Sequence, residues 1–212
     1  QTTFLEVIVT FNFDPNLTGQ TVKSTESIVF SQMQSYVNNN LKKFGGIFRR
    51  SELLGDIDDI NDAVLNSRAS VKLQQRFVPN LLQSTSYKIY FPVELATSPT
   101  DFIVTSSTFI FNDKVCFLRN ALNSTKLQII NSVGDIEIDN IGSYEPLTGT
   151  VNLTGFAPTS ITSGTNYIKV SCTPANQSTV RPLRSYILDL DEGTSYATSV
   201  VDRQRTEITL GG

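Results

Sequence analysis

The residues that could support chemistry in this sequence are carboxylates, because the chain of 212 residues contains no histidine. Histidine is the commonest general base near neutral pH, the commonest metal ligand and the base of Ser-His and Cys-His nucleophile pairs. Those mechanisms are therefore excluded. An enzyme would need two carboxylates across a cleft, as in glycoside hydrolysis, and the loose candidates are Glu94, Asp101, Asp189 and Glu192.

The acids are densest between positions 56 and 62. The members of this cluster are Asp56, Asp58, Asp59 and Asp62. A calcium-binding loop needs a glycine at its sixth position and an acid at its twelfth. Asn61 and Ser67 stand at those two positions, so we interpret the cluster as a solvated helix end or as a surface paired with basic residues.

A second acidic group contains Asp189, Asp191 and Glu192, directly before Gly193. Its glycine comes one place early for the same calcium loop, and no distant carboxylate completes the site. The group therefore predicts a β-turn. We expect no catalytic, cofactor-binding or metal-binding residues in the chain.

Basic residues form one local group, made up of Arg49, Arg50, Arg68, Lys72 and Arg76. We expect these side chains to form salt bridges at the surface or between subunits rather than to bind phosphate.

The net charge of −3 gives no basic surface of the kind that binds nucleic acid. No stretch approaches the roughly 20 apolar residues of a membrane-spanning helix, so neither nucleic acid nor a membrane is an expected partner.

The two cysteines, Cys116 and Cys172, lie in strand-like runs and are too far apart in sequence for a metal knuckle or a redox pair. We expect two buried free thiols, the alternative being a single disulfide.

One long helical pattern follows the first strand. The apolar stripe, at steps of three and four, contains Val29, Phe30, Met33, Tyr36, Val37, Leu41 and Phe44. Ser24 and Thr25 are its expected caps, and Gly45 and Gly46 its expected end. A shorter helix is predicted from Ser51 to about Ile60.

Alternating apolar residues predict strands on both sides of these helices, at 4–13, from Val71 to Pro79, and at 84–91. After Pro92 short runs rich in Ile, Val, Phe and Thr recur every eight to twelve residues or so, separated by turn residues. The predicted strands are 102–104, 108–111, 115–118, 127–130, 136–138, 150–153, 167–172, 186–190 and 207–210. Asn112-Asp113 and Leu147-Thr148-Gly149 are predicted hairpin turns.

The predicted fold class is therefore α+β. Residues 1–92 form a small strand-helix-helix-strand layer, and residues 93–212 form an antiparallel β-rich domain. Because Ile8, Val78 and Tyr90 are apolar positions on otherwise polar strand faces, part of the sheet is expected to be covered or to face a partner.

Two long ordered strings, YVNNNLKKFGGIFRRSELLGDIDDIND and AVLNSRASVKLQQRFVP, extend from Tyr36 to Pro79. They resemble the baseplate wedge protein, gene product six, of T-even-like contractile-tailed phages. The opening, with DPNLTG after the first strand, is similar to the C-terminal part of the wider baseplate J-like family, and SYEPLTGTVNLTGF resembles a hairpin of the wedge family. Because the chain begins at Gln1 without an initiator methionine, we expect a piece of a longer protein. The resemblance implies that this piece is the C-terminal part.

The resemblance implies a structural protein of the virion, located in the tail baseplate and assembled in the host cytoplasm. It implies a homodimer within a ring around the tail hub, with other wedge subunits and tail hub proteins as partners, and it implies no catalysis. By symmetry a ring of one protein needs at least one self-contact, which we place on the Arg49 to Arg76 group and the β domain. The alternatives are a host-binding adhesin or tail-fibre β domain and a carbohydrate-active enzyme.

Overall fold

The computed structural model describes residues 1–162 and 164–203. In this part the chain is mostly antiparallel β-sheet with two α-helices. The elements are β1 (Thr2–Phe13), a 3-10 turn (Pro15–Leu17), α1 (Val22–Asn40), β2 (Phe48–Arg49), α2 (Arg50–Asp58), β3 (Val64–Phe77), β4 (Thr85–Tyr90), β5 (Val104–Ser106), β6 (Phe109–Phe111), β7 (Lys114–Asn120), β8 (Lys126–Asn131), β9 (Ile136–Glu145), β10 (Thr150–Phe156), β11 (Ser160–Ile161), β12 (Ile168–Cys172), β13 (Thr179–Val180), β14 (Ile187–Leu190) and β15 (Tyr196–Val201).

One sheet of thirteen strands connects the two halves of the chain. Its main path runs β14-β1-β3-β12-β5-β7-β8-β9-β10-β4. Off this path, β15 pairs with β1, β6 pairs with β7, and β11 pairs with β6. β3 pairs with β1 on one side and β12 on the other. The predicted separate strand-helix-helix-strand layer is therefore not confirmed, because its strands share a sheet with the second half. The division at residue 92 stays a prediction.

Two pairings in this sheet are parallel, whereas the sequence predicted an antiparallel second half. β14 pairs in parallel with the start of β1, and β15 pairs in parallel with its end. The two strands lie on the same side of β1 and are separated by the turn at residues 191–195. They act as one edge strand interrupted by a loop, and β15 was not predicted because its exposed side chains lack a clear alternation.

The odd-numbered side of β1 forms the centre of the core, as predicted. Its inward side chains are no more than 1 % exposed, and they are Leu5, Val7, Val9, Phe11 and Phe13. Val29, Met33, Tyr36 and Val37 of α1 and Leu53 and Ile57 of α2 are buried in the same cluster. The helices therefore cover this side of the sheet, and burial of their apolar stripes stabilises them more than their intrinsic propensity.

The ends of the helices differ from the prediction. Thr21, not Ser24 or Thr25, caps α1, since its side chain accepts a hydrogen bond from the Ser24 amide at 3.1 Å. α1 ends at Asn40, before the glycines, and Phe44 is left 70 % exposed outside the apolar stripe. α2 begins at Arg50, and its N-cap Arg49 makes no side-chain capping bond.

Most predicted strands of the second half are confirmed, although several are longer than expected. The predicted strand at 207–210 lies outside the described residues. At the β6–β7 hairpin Asn112 and Asp113 have φ values of 50° and 60°, the positive values that a type I′ turn requires. Both cysteines are free and buried, as expected.

Candidate interaction surfaces

An open sheet face lies opposite the helices, formed by the even-numbered side chains of β1, β3 and β15. Ile8 is paired with Tyr196 on one side and Ser70 on the other. One step along, Thr10 lies between Thr198 and Arg68 in the same way. We call this surface the open face. Most of its side chains are partly or fully exposed, whereas Gln74 of β3 is buried.

The five residues of the predicted basic group do not form one cluster. Arg68, Lys72 and Arg76 follow each other at four-residue steps on the even-numbered side of β3. Residues of β1 oppose Arg68 and Lys72, and a residue of β12 opposes Arg76. Arg49 and Arg50 lie elsewhere, at the junction of β2 and α2. Arg49 forms an ion pair with Glu52 at 3.4 Å, and the Arg50 guanidinium donates to Ser178 Oγ at 2.9 Å.

Tyr36 fixes the position of Arg49. Its hydroxyl accepts a hydrogen bond from the Arg49 amide at 2.9 Å and donates to the Arg49 carbonyl at 3.2 Å. Burial raises the pKa of Tyr36, against the lowering effect of the Arg49 backbone bond. The phenol therefore stays neutral and connects α1 to the short strand β2.

A buried carboxylate, Asp191, connects the loop after β14 to strands β3 and β12 at the edge of the open face. Its Oδ2 accepts hydrogen bonds from Lys169 Nζ at 2.6 Å, Gln74 Nε2 at 2.6 Å and Thr194 Oγ1 at 2.8 Å. Its Oδ1 lies 3.3 Å from an Arg76 guanidinium nitrogen. We call these five residues the Asp191 network, and the sequence did not predict it because its members come from distant parts of the chain.

The same network includes a second carboxylate and an aromatic contact. Glu6 Oε1 accepts from Gln74 Nε2 at 2.7 Å and from the Ser171 hydroxyl. The Arg76 guanidinium lies 3.5 Å from the centre of the Phe4 ring, a cation–π contact. Arg76 is thus occupied within the chain and is less available to a partner than Arg68 or Lys72.

Burial raises the pKa of Asp191, but hydrogen bonds from Lys169, Gln74 and Thr194 lower it by more, so the net shift is downward. A carboxylate held ionised by several donors is a poor proton donor or acceptor near neutral pH. The network therefore holds the edge loop against the sheet rather than supplying an acid–base pair.

The four acids considered for an enzyme lie at different places in the fold. Asp189 forms an ion pair with Lys42 at 2.9 Å, and Asp101 accepts from Ser98 Oγ at 2.7 Å. Glu94 lines a small cavity with Pro174 and Arg181. Glu192 lies on the groove described below. The structure does not bring these candidates together as an acid–base pair.

The two acidic groups have the local structures that the sequence predicted. Asp58 ends α2, Asp59 is its C-cap, and the neighbouring acids are exposed. In the second group the Thr194 amide donates to the Asp191 carbonyl at 3.2 Å, which closes a β-turn. Within residues 1–162 and 164–203, no three His, Cys, Asp or Glu side chains are placed to hold a metal ion.

A groove of about 460 Å³ lies between α1 and β15. Phe30, Tyr196 and Ala197 give it an apolar surface, while Glu26 and Glu192 add two carboxylates. Glu26 Oε1 accepts from the Ser199 amide at 3.0 Å and from the Ser199 hydroxyl at 2.9 Å. We call this the α1–β15 groove.

These features define a mostly antiparallel β protein whose charged side chains hold strands together and present surfaces for contact. Residues 1–76 match the family described as baseplate structural protein gp6, C-terminal domain III. This match supports a gp6-like baseplate wedge protein, that is, a structural protein of a bacteriophage tail baseplate. No curated protein matches the chain. None of the helices in the described part is long and apolar enough to cross a membrane.

Proposed function

We propose that this protein is a structural, non-catalytic component of a contractile phage tail baseplate wedge. It pairs with itself, binds other wedge subunits and tail hub proteins, and so contributes to the ring around the hub. It is assembled in the host cytoplasm and resides in the virion. The observation that carries this proposal is the match of residues 1–76 to a domain of a baseplate structural protein.

The proposed self-contact places the basic side chains of the open face against the β-rich half of a second copy. Arg68 and Lys72 form no ion pair with any carboxylate in the described part of the chain. Residues 93–203 carry exposed acids, among them Asp101, Asp113 and Glu145. In a two-fold contact, each copy would offer its basic face to the acids of the other.

The test is the mass of the purified chain in solution, measured by light scattering over a range of concentrations. We expect a dimer that persists on dilution. The double variant Arg68→Glu with Lys72→Glu should shift the chain toward monomer, because the new carboxylates would repel the acids of the second copy. Lys23→Glu, a charge reversal at an exposed position of α1, is the control and should leave the dimer intact.

Two results would contradict this proposal. A strict monomer at all concentrations would exclude self-pairing by this chain. A tight trimer would favour the host-binding adhesin or tail-fibre domain.

A further inference from the structure

The β15 strand lies at an edge of the sheet, and in the part of the chain that the structure describes it pairs only with β1. The Asp202 amide, just after β15, donates to the Phe13 carbonyl of β1 at 2.9 Å. Backbone groups alternate sides along a strand. The even-numbered residues of β15 therefore turn their backbone groups to β1, and Ala197, Ser199 and Val201 turn theirs away.

Nothing in the composition of β15 protects this edge from another strand. Its six residues, YATSVV, include no charge and no proline, two devices by which proteins commonly block open edges. Tyr196, Val200 and Val201 are 46–50 % exposed. The opposite edge of the sheet, β4, carries Lys88 in the middle of the strand.

The outward backbone groups are not all equivalent. Glu26 of α1 already binds the Ser199 amide through Oε1, so Ala197 and Val201 are left to bond an incoming strand on either side. The carboxylate of Glu26 would then face the middle of that strand. Glu192, which is exposed and forms no ion pair within the described residues, would face it near Tyr196.

The α1–β15 groove thus combines an open strand edge, an apolar surface and two carboxylates. We propose that it binds an extended segment of another baseplate subunit, which adds to β15 as a further strand and carries a lysine or arginine between β-branched residues. Main-chain bonds supply affinity in this mode of recognition, and side-chain pockets supply specificity. The inference rests on the proposed baseplate function.

Charge argues against a second copy as the occupant. If β15 of one chain paired with β15 of another, Glu26 and Glu192 of both chains would be brought to one interface. Like charges placed together across an interface are unfavourable. A basic segment instead neutralises both carboxylates, so self-pairing and strand addition would use different surfaces.

The test uses a fluorescein-labelled eight-residue peptide of alternating threonine and valine with one central lysine. Its binding to the full chain is followed by fluorescence anisotropy. The same peptide with a central glutamate should bind at least about fivefold more weakly, and Glu192→Gln should weaken the lysine peptide about two- to fivefold, as expected for an exposed ion pair. Glu94→Gln, remote from the groove, is the matched control.

A second pair of variants tests strand addition directly. Val201→Pro removes an outward amide while leaving the residues that bond β1, and proline is tolerated at strand edges. It should abolish peptide binding, whereas Val201→Ala, which keeps the amide, should retain it. Unchanged thermal unfolding of both variants establishes that the loss is local. If Val201→Pro is destabilised, Glu192→Lys replaces it and should weaken the lysine peptide more than tenfold.

The outcomes separate this inference from the proposed function. If the chain still dimerises but binds the lysine and glutamate peptides equally, or binds neither peptide, the proposed strand binding at the α1–β15 groove is contradicted. The baseplate proposal would still stand. Selective lysine-peptide binding by a chain that is monomeric would support the groove and contradict the self-pairing proposal.

Discussion

Asp191 shows how one side chain can organise the edge of a sheet. Only about 5 % of the residue is exposed, and a charge so buried would be costly without partners. Lys169 and Arg76 supply positive charge, while Gln74 and Thr194 supply neutral donors. The loop between β14 and β15 is therefore attached to β3 and β12 across β1.

Replacing Asp191 with asparagine should destabilise the fold by about 3 kcal/mol, because it leaves Lys169 and Arg76 partly buried without their carboxylate. Urea unfolding of the variant and the wild type measures this difference. Asp189→Asn is the matched control. Its ion pair with Lys42 is partly exposed and should contribute no more than about 1 kcal/mol. Equal losses in the two variants would contradict the role of the network.

The free energy of unfolding should depend on pH in a way that reveals the ionisation of Asp191. Its pKa in the folded protein lies below the ordinary value of 3.8, so the unfolded chain binds a proton more readily. The stabilisation is therefore complete above pH 3.8 or so and is lost as pH falls through the folded pKa. We expect the difference in unfolding free energy between wild type and Asp191→Asn to shrink below about pH 4. A constant difference down to pH 2.5 would contradict this assignment.

Turns set the register of the β-rich half, and the β9–β10 hairpin is the clearest case. Gly149 has a φ of +63°, which favours glycine. A Cβ at this position would lie 2.3 Å from the Val93 carbonyl oxygen and 2.7 Å from that of Phe91. The Phe91 amide donates to the Gly149 carbonyl at 2.7 Å, so the hairpin and the segment after β4 pack backbone to backbone.

Gly149→Ala should therefore lower the free energy of unfolding by roughly 3 kcal/mol, because alanine meets both the positive φ and the backbone clash. Gly134→Ala is the matched control, since Gly134 also has a positive φ of +100° but nothing within 4 Å of an added Cβ. Gly134→Ala should lower the free energy of unfolding by about 1 kcal/mol, because only the backbone conformation is strained. Thermal unfolding of the two variants compares these effects, and an equal shift in Tm would contradict the close-approach argument.

The sheet joins residues from both ends of the chain. β1, near the amino terminus, is flanked on one side by β14 and β15, and β3 is flanked by β12. The matched baseplate region, residues 1–76, therefore obtains three of its neighbouring strands from the second half. Packing of this kind makes the two predicted parts dependent on each other.

A fragment of residues 1–92 should not fold cooperatively by itself, because it lacks β12, β14 and β15 and exposes the edges of β1 and β3. The full chain should unfold in one urea transition, followed by circular dichroism. A cooperative transition of the fragment, with a midpoint close to that of the full chain, would show instead that residue 92 is a true domain boundary.

Local pattern was enough to predict several features of this protein. The alternation from Leu5 to Phe13 identified the buried face of β1, and the stripe through Val29, Met33 and Tyr36 identified α1. Asn112-Asp113 and Gly149 identified hairpins, since turn types depend on a few adjacent residues. The ordered strings between Tyr36 and Pro79 were enough to indicate the baseplate family.

Only the tertiary structure decided which strands lie side by side and which charges meet. The Asp191 network joins residues up to 117 positions apart, and the α1–β15 groove joins Glu26 to Ser199. The five predicted basic residues separated into two places for the same reason. Such contacts depend on long-range strand pairing, whose register follows from the packing of the whole sheet and leaves no periodic signal in the local sequence.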